Sequence, residues 1–348
     1  MNKIKVAVIG ASGYAGLELV RLLVRHPGCE LVALGSLEYP GQPVARIFPA
    51  LAGKIQLSFS DAPAAELAAQ AEVVFTAVPH QAAMGMIPGL LEKGCKVVDF
   101  SADFRFRDAA VYEKWYQAHT APELLKEAVY GLPEIHGPKI PGARLVGNPG
   151  CYPTGVILGL APLVQARLVH LNSLIADCAS GVSGAGRQGN LATAFSEVHD
   201  TFRAYKVADH RHNPEMEQEL SLLARDRVRL TFSPHLVPMN RGILGTLYAT
   251  LVDDPMTEAE LFERYREFYQ GQPFVRLMAP GTLPHTGQVR GSNYCDLGFR
   301  VDRERGRVII ISAIDNLTKG AAGQAVHNFN LMMGFPETMG LETPPFVP

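Results

Sequence analysis

Cys151 is the residue with the clearest potential for covalent chemistry. It lies in the stretch Gly-Asn-Pro-Gly-Cys-Tyr-Pro-Thr, residues 147–154, where turn formers precede it and a proline follows two positions later. Because proline suits the first turn of a helix, the pattern predicts that a helix begins at the thiol. The helix dipole and free N–H groups there stabilise a thiolate. The sequence therefore predicts that Cys151 is a nucleophile that carries an acyl group as a thioester.

A second candidate group consists of two histidines in the stretch Ala-Asp-His-Arg-His-Asn-Pro-Glu, residues 208–215. His210 and His212 stand just before a predicted helix. Thioester chemistry needs a proton carrier near the sulfur, and histidine commonly provides it. The local pattern leaves three alternatives open: His210, His212, or a surface histidine cluster. It shows no third ligand with metal spacing, so we predict no metal site.

A glycine-rich loop, Gly-Ala-Ser-Gly-Tyr-Ala-Gly, follows the predicted strand over residues 4–10 and opens a predicted helix. Glycines allow a tight turn and a close backbone approach, and the helix N-terminus receives a pyrophosphate. The placement predicts a dinucleotide site and, with it, a hydride donor. The predicted cofactor-binding residues here are Gly10, Ser12, Gly13, Tyr14, Ala15, Gly16 and, after the predicted strand over residues 73–78, Pro79.

The choice between NADP and NAD depends on the end of the second predicted strand. An acidic residue there would bind the ribose 2′-hydroxyl and repel a 2′-phosphate. The strand ends in Gly35-Ser36-Leu37, with no carboxylate at that point, and Ser36 can hydrogen-bond a phosphate. Glu38 is interpreted as a solvated loop residue. We therefore predict NADP, with NAD as the alternative.

A reactive thiol together with a nicotinamide suggests that the thiolate attacks an acyl phosphate and that the resulting thioester accepts hydride. Such a substrate is an anion and requires cationic and N–H donors. A loop of serines and glycines over residues 180–187 ends in an arginine and could cradle such a group. Isolated arginines elsewhere are more typical of surface or salt-bridge positions, so each is only a candidate. The predicted substrate-binding residues are Arg105, Asn148, Ser180, Gly186, Arg187 and Arg241, and Ser183 and Gly184 are assigned to the cofactor.

The predicted strands and helices that position these residues fall into two domains. Strand and helix patterns alternate up to about residue 108, which predicts a doubly wound parallel sheet of the Rossmann type. Later strand patterns follow one another without helices, which favours an antiparallel or mixed sheet and an α+β domain. We predict an NADP-binding domain over residues 1–148, completed by a C-terminal helix within 316–334. The second, catalytic domain covers residues 149–315.

Composition excludes several classes of function. The chain has 348 residues, 47% of them hydrophobic and 19% charged, with a formal net charge of −2. This is the balance of a globular protein without the basic footprint of nucleic-acid or anionic-membrane binding. No apolar run is long enough to span a bilayer and no signal peptide is evident, so we expect a cytoplasmic protein. The five scattered cysteines indicate neither disulfides nor zinc.

Together these motifs resemble the N-acetyl-γ-glutamyl-phosphate reductases of arginine biosynthesis, within the semialdehyde dehydrogenase superfamily. The resemblance covers nearly the whole chain, and Gly-Cys-Tyr-Pro-Thr and His-Arg-His are its specific parts. The stretches that carry it are residues 10–16, 101–105, 131–134, 150–154, 183–187, 210–212, 238–242 and 315–323.

The resemblance implies roles that the residues alone do not. Cys151 would form the acyl-enzyme, and His212 rather than His210 would be the acid/base. Arg105 would meet the substrate phosphate, and Arg241 with residues 183–187 would help hold the substrate. Asn316 and the following glycines, including Gly320, would return to the cofactor near the nicotinamide. The family fold implies a Rossmann domain, an α/β dimerisation domain and a final helix packed on the first domain, in a homodimer or homotetramer.

One position departs from the family pattern. Where the family often has Ser-Arg after the second strand, this chain has Ser36-Leu37, and Arg46 is the substitute partner for a 2′-phosphate. The alternatives to this family are a reductase acting on a carrier-bound amino-adipyl or glutamyl phosphate, and an aspartate-semialdehyde dehydrogenase. A cofactor-binding regulator would not need the thiol and the histidines, and a cysteine hydrolase would not need the glycine loop.

Overall fold

The computed structural model describes residues 2–252 and 256–346. The chain forms two compact units. The first consists of Met1–Pro149 with Ala321–Glu342, and the second of Gly150–Gly320 with Thr343–Pro348.

The first unit is built on a seven-stranded sheet in which every pair of neighbours is parallel. Its strands are β1 (Ile4–Ile9), β2 (Cys29–Gly35), β3 (Phe59–Ser60), β4 (Val73–Thr76), β5 (Lys96–Asp99), β6 (Val129–Tyr130) and β7 (Leu145–Gly147). The order is β3-β2-β1-β4-β5-β7-β6, so the chain runs outward from β1 and then returns to its other side. The carboxyl ends of β1 and β4 therefore flank a topological switch point, where ligands bind in such sheets.

The helices of this part are mostly short. They are α1 (Tyr14–Leu23), α2 (Val44–Ile47), α3 (Ala64–Leu67), α4 (Ile87–Glu92), α5 (Ala109–Trp115) and α6 (Pro133–His136). The apolar spacing over residues 80–92 predicts one helix. Its first half was wrong, because Gln81 has a φ of 78° and α4 begins only at Ile87. The backbone N–H groups of Gln81 and Met84 donate to the Asp103 carboxylate instead. A side chain distant in sequence thus replaces the first helical turns.

The second unit contains a mixed seven-stranded sheet, which confirms the prediction for this part of the chain. Its strands are β8 (Leu174–Gly181), β9 (Arg203–Ala204), β10 (Leu230–Val237), β11 (Ile243–Thr250), β12 (Val275–Leu277), β13 (Cys295–Asp302) and β14 (Arg307–Ile314). The order is β12-β13-β14-β11-β8-β10-β9. The pairs β8–β10 and β12–β13 are parallel and the other pairs are antiparallel.

One buried helix dominates the core of the second unit. The helices are α7 (Cys151–Gln165), α8 (Phe195–Val198), α9 (Asn213–Ala224) and α10 (Glu258–Phe268). Every residue of α7 from Tyr152 to Val164 is buried, as expected for a helix that is apolar on all sides. A Cβ at Gly159 would lie 2.3 Å from Leu247 of β11, so the glycine lets α7 pack directly on the sheet. This packing fixes the helix start where Cys151 lies.

The last helix, α11 (Gly323–Met333), belongs to the first unit. Asn328 donates hydrogen bonds to the carbonyl of Gly131 (2.8 Å) and to the side-chain oxygen of Asn148 (3.0 Å). The polar side chains of α11 thus satisfy backbone groups of the first unit far away in sequence.

Candidate active site

Cys151 is the first residue of α7 and its side chain is partly exposed. Gly150 is the N-cap, in an extended conformation with φ −66° and ψ 154°, and no side chain caps the helix. The thiol is therefore held at the positive end of a fifteen-residue helix, which stabilises negative charge on sulfur. The predicted position of the thiol at a helix start is confirmed.

The imidazole of His212 lies directly against the residue that precedes the thiol. A Cβ at Gly150 would be 2.6 Å from Nε2 of His212 and 2.9 Å from its Cδ2 and Cε1. A side chain at this position would displace the ring, so glycine leaves the space that the imidazole occupies. His212 is the N-cap of α9, so two helix starts bring the predicted base and the predicted nucleophile together.

His210 occupies a different position. Its Nδ1 accepts the backbone N–H of His212 at 3.1 Å, and its ring packs edge-on against Tyr152, Tyr205 and Phe232. Burial, followed by the nearby charges of Lys206 and Arg211, lowers the pKa of His210 to about 4. His210 is therefore neutral at pH 7, with one ring nitrogen occupied by the backbone. These contacts support His212 over His210 as the proton carrier.

The two tyrosines of this cluster form a buried polar pair. The hydroxyls of Tyr152 and Tyr205 are 2.9 Å apart. Burial is the largest cause that raises the pKa of both groups, so both stay protonated at neutral pH. Tyr205 was not singled out from the sequence, because it lies outside the motifs and meets Tyr152 only through the fold.

Glu215 is a further residue of the site that the sequence analysis did not single out. Its side chain is completely buried, and its carboxylate accepts the backbone N–H of Gly150 at 2.8 Å. It follows His212 by three positions, so both residues lie on one face at the start of α9. That spacing was the available signal, but only the fold shows that the face meets α7.

Gly320 borders the thiol from another segment of the same unit. A Cβ at this position would lie 2.9 Å from Cβ of Cys151. The N–H of Gly320 donates to the carbonyl of Asp315, which closes the turn that brings the glycine there. The residue predicted to return to the cofactor therefore lies beside the predicted nucleophile.

Asn316 connects two of the predicted polar loops. Its side-chain oxygen accepts the N–H of Gly242 at 2.7 Å, and its amide donates to the hydroxyl of Ser183 at 2.9 Å. Ser183 in turn donates to the carbonyl of Asn240. The loops that contain Ser183, Gly242 and Asn316 are thus locked together, and Asn316 serves the protein framework in these contacts.

Arg241 is held by a buried carboxylate. Its guanidinium contacts both oxygens of Asp315 at 3.0 Å, and it also donates to Thr318 at 2.9 Å. The Arg241 side chain is 21% exposed, whereas Asp315 is fully buried. The arginine is therefore oriented in advance and still partly accessible.

The remaining predicted residues of this unit differ in accessibility. Ser180 is buried and donates to the carbonyl of Gly181. Gly184 and Gly186 are exposed, and Arg187 is partly exposed. Gly186 has a φ of 88°, which favours glycine. Their predicted roles toward ligands stay predictions.

In the first unit, the predicted dinucleotide loop has the geometry of an anion cradle. Gly10 has a φ of 83°, and a Cβ there would lie 2.3 Å from the carbonyl oxygen of Ala77. A Cβ at Gly16 would lie 2.2 Å from the carbonyl oxygen of Gly10. The N-cap of α1 is Gly13, and no side chain caps this helix. The residues therefore fit a dinucleotide pyrophosphate at the N-terminus of α1, where Tyr14 and Ala15 form the first turn.

The residues at and after the end of β2 are those predicted to lie near the ribose that carries the 2′-phosphate of NADP. The hydroxyl of Ser36 donates to the hydroxyl of Ser12 at 2.8 Å, and both residues are buried. Leu37 is 88% exposed, and Arg46 is exposed on α2. Pro79 is exposed beyond β4, two residues after the Ala77 carbonyl that faces Gly10.

Arg105 is buried within the first unit. Its Nε donates to the carbonyl of Asn148 at 2.7 Å and its Nη2 donates to the carbonyl of Phe100 at 2.6 Å. The Asn148 amide donates to the carbonyl of Ala321. These contacts support the backbone, so the predicted contact of Arg105 with a substrate phosphate stays a prediction.

Within the described residues, 2–252 and 256–346, no group of three or more His, Cys, Asp or Glu side chains is arranged to hold a metal ion. No helix in the same ranges is both long and apolar enough to cross a membrane.

Comparisons with known proteins agree with this fold and geometry. Residues 5–143 match the NAD binding domain of semialdehyde dehydrogenase, and residues 151–316 match its dimerisation domain. Among solved structures, aspartate semialdehyde dehydrogenase II from Vibrio cholerae, complexed with ASA, has a TM-score of 0.73 at 16% identity, covering 96% of this chain and 99% of that one. The enzyme from Candida albicans has a TM-score of 0.70 at 16% identity, covering 95% and 98%. The predicted two-domain α/β fold with a nicotinamide-binding domain is confirmed.

Curated relatives are far more similar. The N-acetyl-gamma-glutamyl-phosphate reductase of Syntrophobacter fumaroxidans is 56% identical over 99% of this chain and 100% of its own length. That of Geobacter metallireducens is also 56% identical, with the same coverage. The chain therefore belongs to the N-acetyl-gamma-glutamyl-phosphate reductase family, as the motif resemblance predicted.

Proposed function

We propose that this protein reduces N-acetyl-γ-glutamyl phosphate to N-acetyl-glutamate 5-semialdehyde and phosphate, with NADPH as reductant, in arginine biosynthesis. The single observation that carries the chemistry is the pairing of Cys151 at the start of α7 with the His212 imidazole on Gly150. The substrate assignment comes from family membership at 51–56% identity.

In the acylation step, the Cys151 sulfur attacks the carbonyl carbon of the acyl phosphate. A C–S bond forms, the C–O bond to phosphate breaks, and His212 passes the thiol proton toward the leaving phosphate. The N-terminus of α7 favours the thiolate that starts the attack. The products are a thioester on Cys151 and inorganic phosphate.

In the second step, the thioester is reduced. The glycine loop before α1 would hold the dinucleotide, which would supply the hydride for the thioester carbon. A proton delivered by His212 gives a thiohemiacetal on Cys151. Its collapse breaks the C–S bond, moves the hydroxyl proton to sulfur through His212, and releases the aldehyde.

We assign NADP as the preferred cofactor, with NAD as the weaker alternative. The buried hydroxyls of Ser12 and Ser36 lie after β1 and β2 with no acidic side chain at that point, which suits a 2′-phosphate. The structurally similar Candida albicans enzyme was solved with NADP.

The decisive assay runs in the reverse direction, with inorganic phosphate and NADP or NAD. N-acetyl-glutamate semialdehyde and aspartate semialdehyde serve as competing substrates. We expect phosphate-dependent reduction of NADP with the acetylated aldehyde to be the fastest of the four reactions. A preference for aspartate semialdehyde would contradict the substrate assignment, and turnover without phosphate would contradict the acyl phosphate.

We further propose that the protein is a homodimer or homotetramer assembled through the second unit. One face of its sheet carries partly buried apolar side chains, among them Leu244, Ile309 and Ile311. The opposite face is covered by α7. Light scattering should give a mass at least twice that of one chain. A strictly monomeric species would contradict this proposal. The cytoplasmic location stays a prediction.

A further inference from the structure

We infer that Glu215 is a positioning residue that holds Cys151 in line with His212, an inference that rests on the proposed function. The Glu215 carboxylate accepts the N–H of Gly150 at 2.8 Å. Gly150 is both the residue immediately before the thiol and the residue on which the His212 ring rests. A single contact therefore acts on the nucleophile and on the proton carrier.

At the start of α9, His210 accepts the N-cap N–H that Glu215 would ordinarily accept. Glutamate at the third helical position usually accepts the N–H of its own N-cap residue. Here the N-cap is His212, and its N–H donates to Nδ1 of His210 instead. Glu215 reaches across to the N-cap residue of α7. His210 thus replaces the usual capping partner, and the two helix starts are joined.

Burial makes the contact significant. Glu215 is 0% exposed, and a buried carboxylate is costly unless its oxygens accept hydrogen bonds. A bond from a backbone N–H to a charged oxygen is shorter and stronger than one between neutral groups. The Glu215 carboxylate thus forms a rigid link between α7 and α9. Shear or rotation of either helix would break this hydrogen bond.

The role has a specific kinetic consequence. Glu215 contacts the backbone before Cys151, so its loss should displace the reacting groups and leave substrate recognition intact. A displacement of about 1 Å can cost about 10²-fold in rate. Replacing Glu215 by alanine should therefore lower kcat by about 10²-fold, with KM near the wild-type value.

The test compares E215A, E215Q and the control E219Q. Glu219 lies one turn further along α9, is also buried, and accepts a hydrogen bond from Gln218. Each variant is assayed for kcat and KM, and for the rate at which iodoacetamide alkylates Cys151, followed by mass spectrometry. The alkylation rate needs no substrate, so it reports on the Glu215 contact even if the proposed reaction is wrong.

We expect E215A to lose kcat and to change the alkylation rate, E215Q to recover most of both, and E219Q to match the wild type. Glutamine keeps an oxygen that can accept the Gly150 N–H, so its rescue separates positioning from charge. An E215Q variant as impaired as E215A would overturn the inference, as would wild-type kcat in E215A. If E215A does not fold, near-wild-type values in E215Q support the inference and loss in E215Q overturns it.

Discussion

The starts of α1 and α7 have nearly the same backbone and serve different chemistry. Gly13 and Gly150 are both N-caps, with φ and ψ of −69° and 164° in one and −66° and 154° in the other, and neither helix has a side-chain cap. At α1 the open N-terminus suits an anion from a ligand. At α7 the first helical residue is Cys151, and in the proposed mechanism its sulfur is the anion.

What surrounds each helix start explains the difference. The loop before α1 is supported by backbone groups, since the N–H groups of Gly10 and Ala11 both donate to the carbonyl of Gly35. Gly150, the residue before Cys151, is supported by side chains. The Glu215 carboxylate accepts its N–H, and the His212 ring packs against it. A helix N-terminus by itself is a general anion site. The side chains placed around it decide whether it binds a cofactor or performs covalent chemistry.

The largest effect should come from removing the thiol. We expect Cys151→Ala to lower kcat by at least about 10⁴-fold, because the thioester of the proposed mechanism forms on this sulfur. NADPH binding, measured by fluorescence titration, should be unchanged, since the loop before α1 is intact. The matched control is Cys29→Ala, a buried cysteine of β2. Substantial turnover in Cys151→Ala would sink the proposed mechanism.

The next effect concerns the proton carrier beside α7. His212→Ala should lower kcat by about 10²–10⁴-fold, the usual value of general acid–base catalysis. His210→Ala should cost less, because His210 acts through the backbone of His212. Steady-state kinetics of both variants provide the comparison. If His210→Ala were the more damaging change, the assignment of His212 would be wrong.

A third test adds a methyl group at each helix start. Gly150→Ala places a Cβ 2.6 Å from the His212 ring, which must rotate away. We expect a loss in kcat of about 10²-fold with little loss of stability, because the backbone angles suit alanine. Gly16→Ala places its Cβ 2.2 Å from a backbone oxygen, so it should weaken NADPH binding and stability instead.

The control for both substitutions is Gly89→Ala. Gly89 lies on α4 with nothing near its Cβ position, so alanine should stabilise the protein by up to about 1 kcal/mol. Thermal unfolding, NADPH titration and kcat separate the three variants. Loss of cofactor binding in Gly150→Ala would contradict the distinction between the two helix starts.

The low pKa of His210 predicts a pH effect. The folded protein holds its pKa at about 4, against an ordinary value of 6.5, so the unfolded chain binds the proton more readily between these values. Stability should therefore fall as pH falls through this window, by at most about 3 kcal/mol from this group. Urea unfolding at pH 7 and pH 5 should show a smaller loss in His210→Gln than in the wild type. An equal loss in both proteins would count against the burial of His210.

Sequence patterns located most of the fold because the long elements are strongly periodic. The apolar runs over residues 96–99, 174–179, 243–252, 295–301 and 307–313 predict strands, and β5, β8, β11, β13 and β14 lie within two residues of these bounds. The short strands β3, β6, β7, β9 and β12 were missed, since two or three residues carry no periodicity. The early start predicted for α4 failed because Asp103, distant in sequence, binds the N–H groups of Gln81 and Met84.

The candidate site was predictable only in its local parts. The placement of Cys151 at a helix start follows from neighbouring turn residues, and the glycine loop follows from its spacing. The contact of Glu215 with Gly150 joins residues 65 positions apart, which no local pattern can show. The same holds for Arg105: only the fold shows that its guanidinium donates to two backbone carbonyls, and the phosphate contact that the resemblance implies stays a prediction.

The smallest effect should come from the ribose side of the α1 site. Leu37 is 88% exposed, so Leu37→Arg removes no packing and adds a cation after β2, near the Ser12–Ser36 hydroxyl pair. A charge-assisted bond to a 2′-phosphate should lower the Kd of NADPH by about tenfold and leave that of NADH unchanged. Leu37→Gln, which adds length without charge, should change neither. Because α7 is untouched, kcat at saturating NADPH should stay constant. Equal tightening of NADPH and NADH would show that the arginine contacts the common part of the dinucleotide, and the 2′-phosphate would then have to be placed elsewhere on the loop.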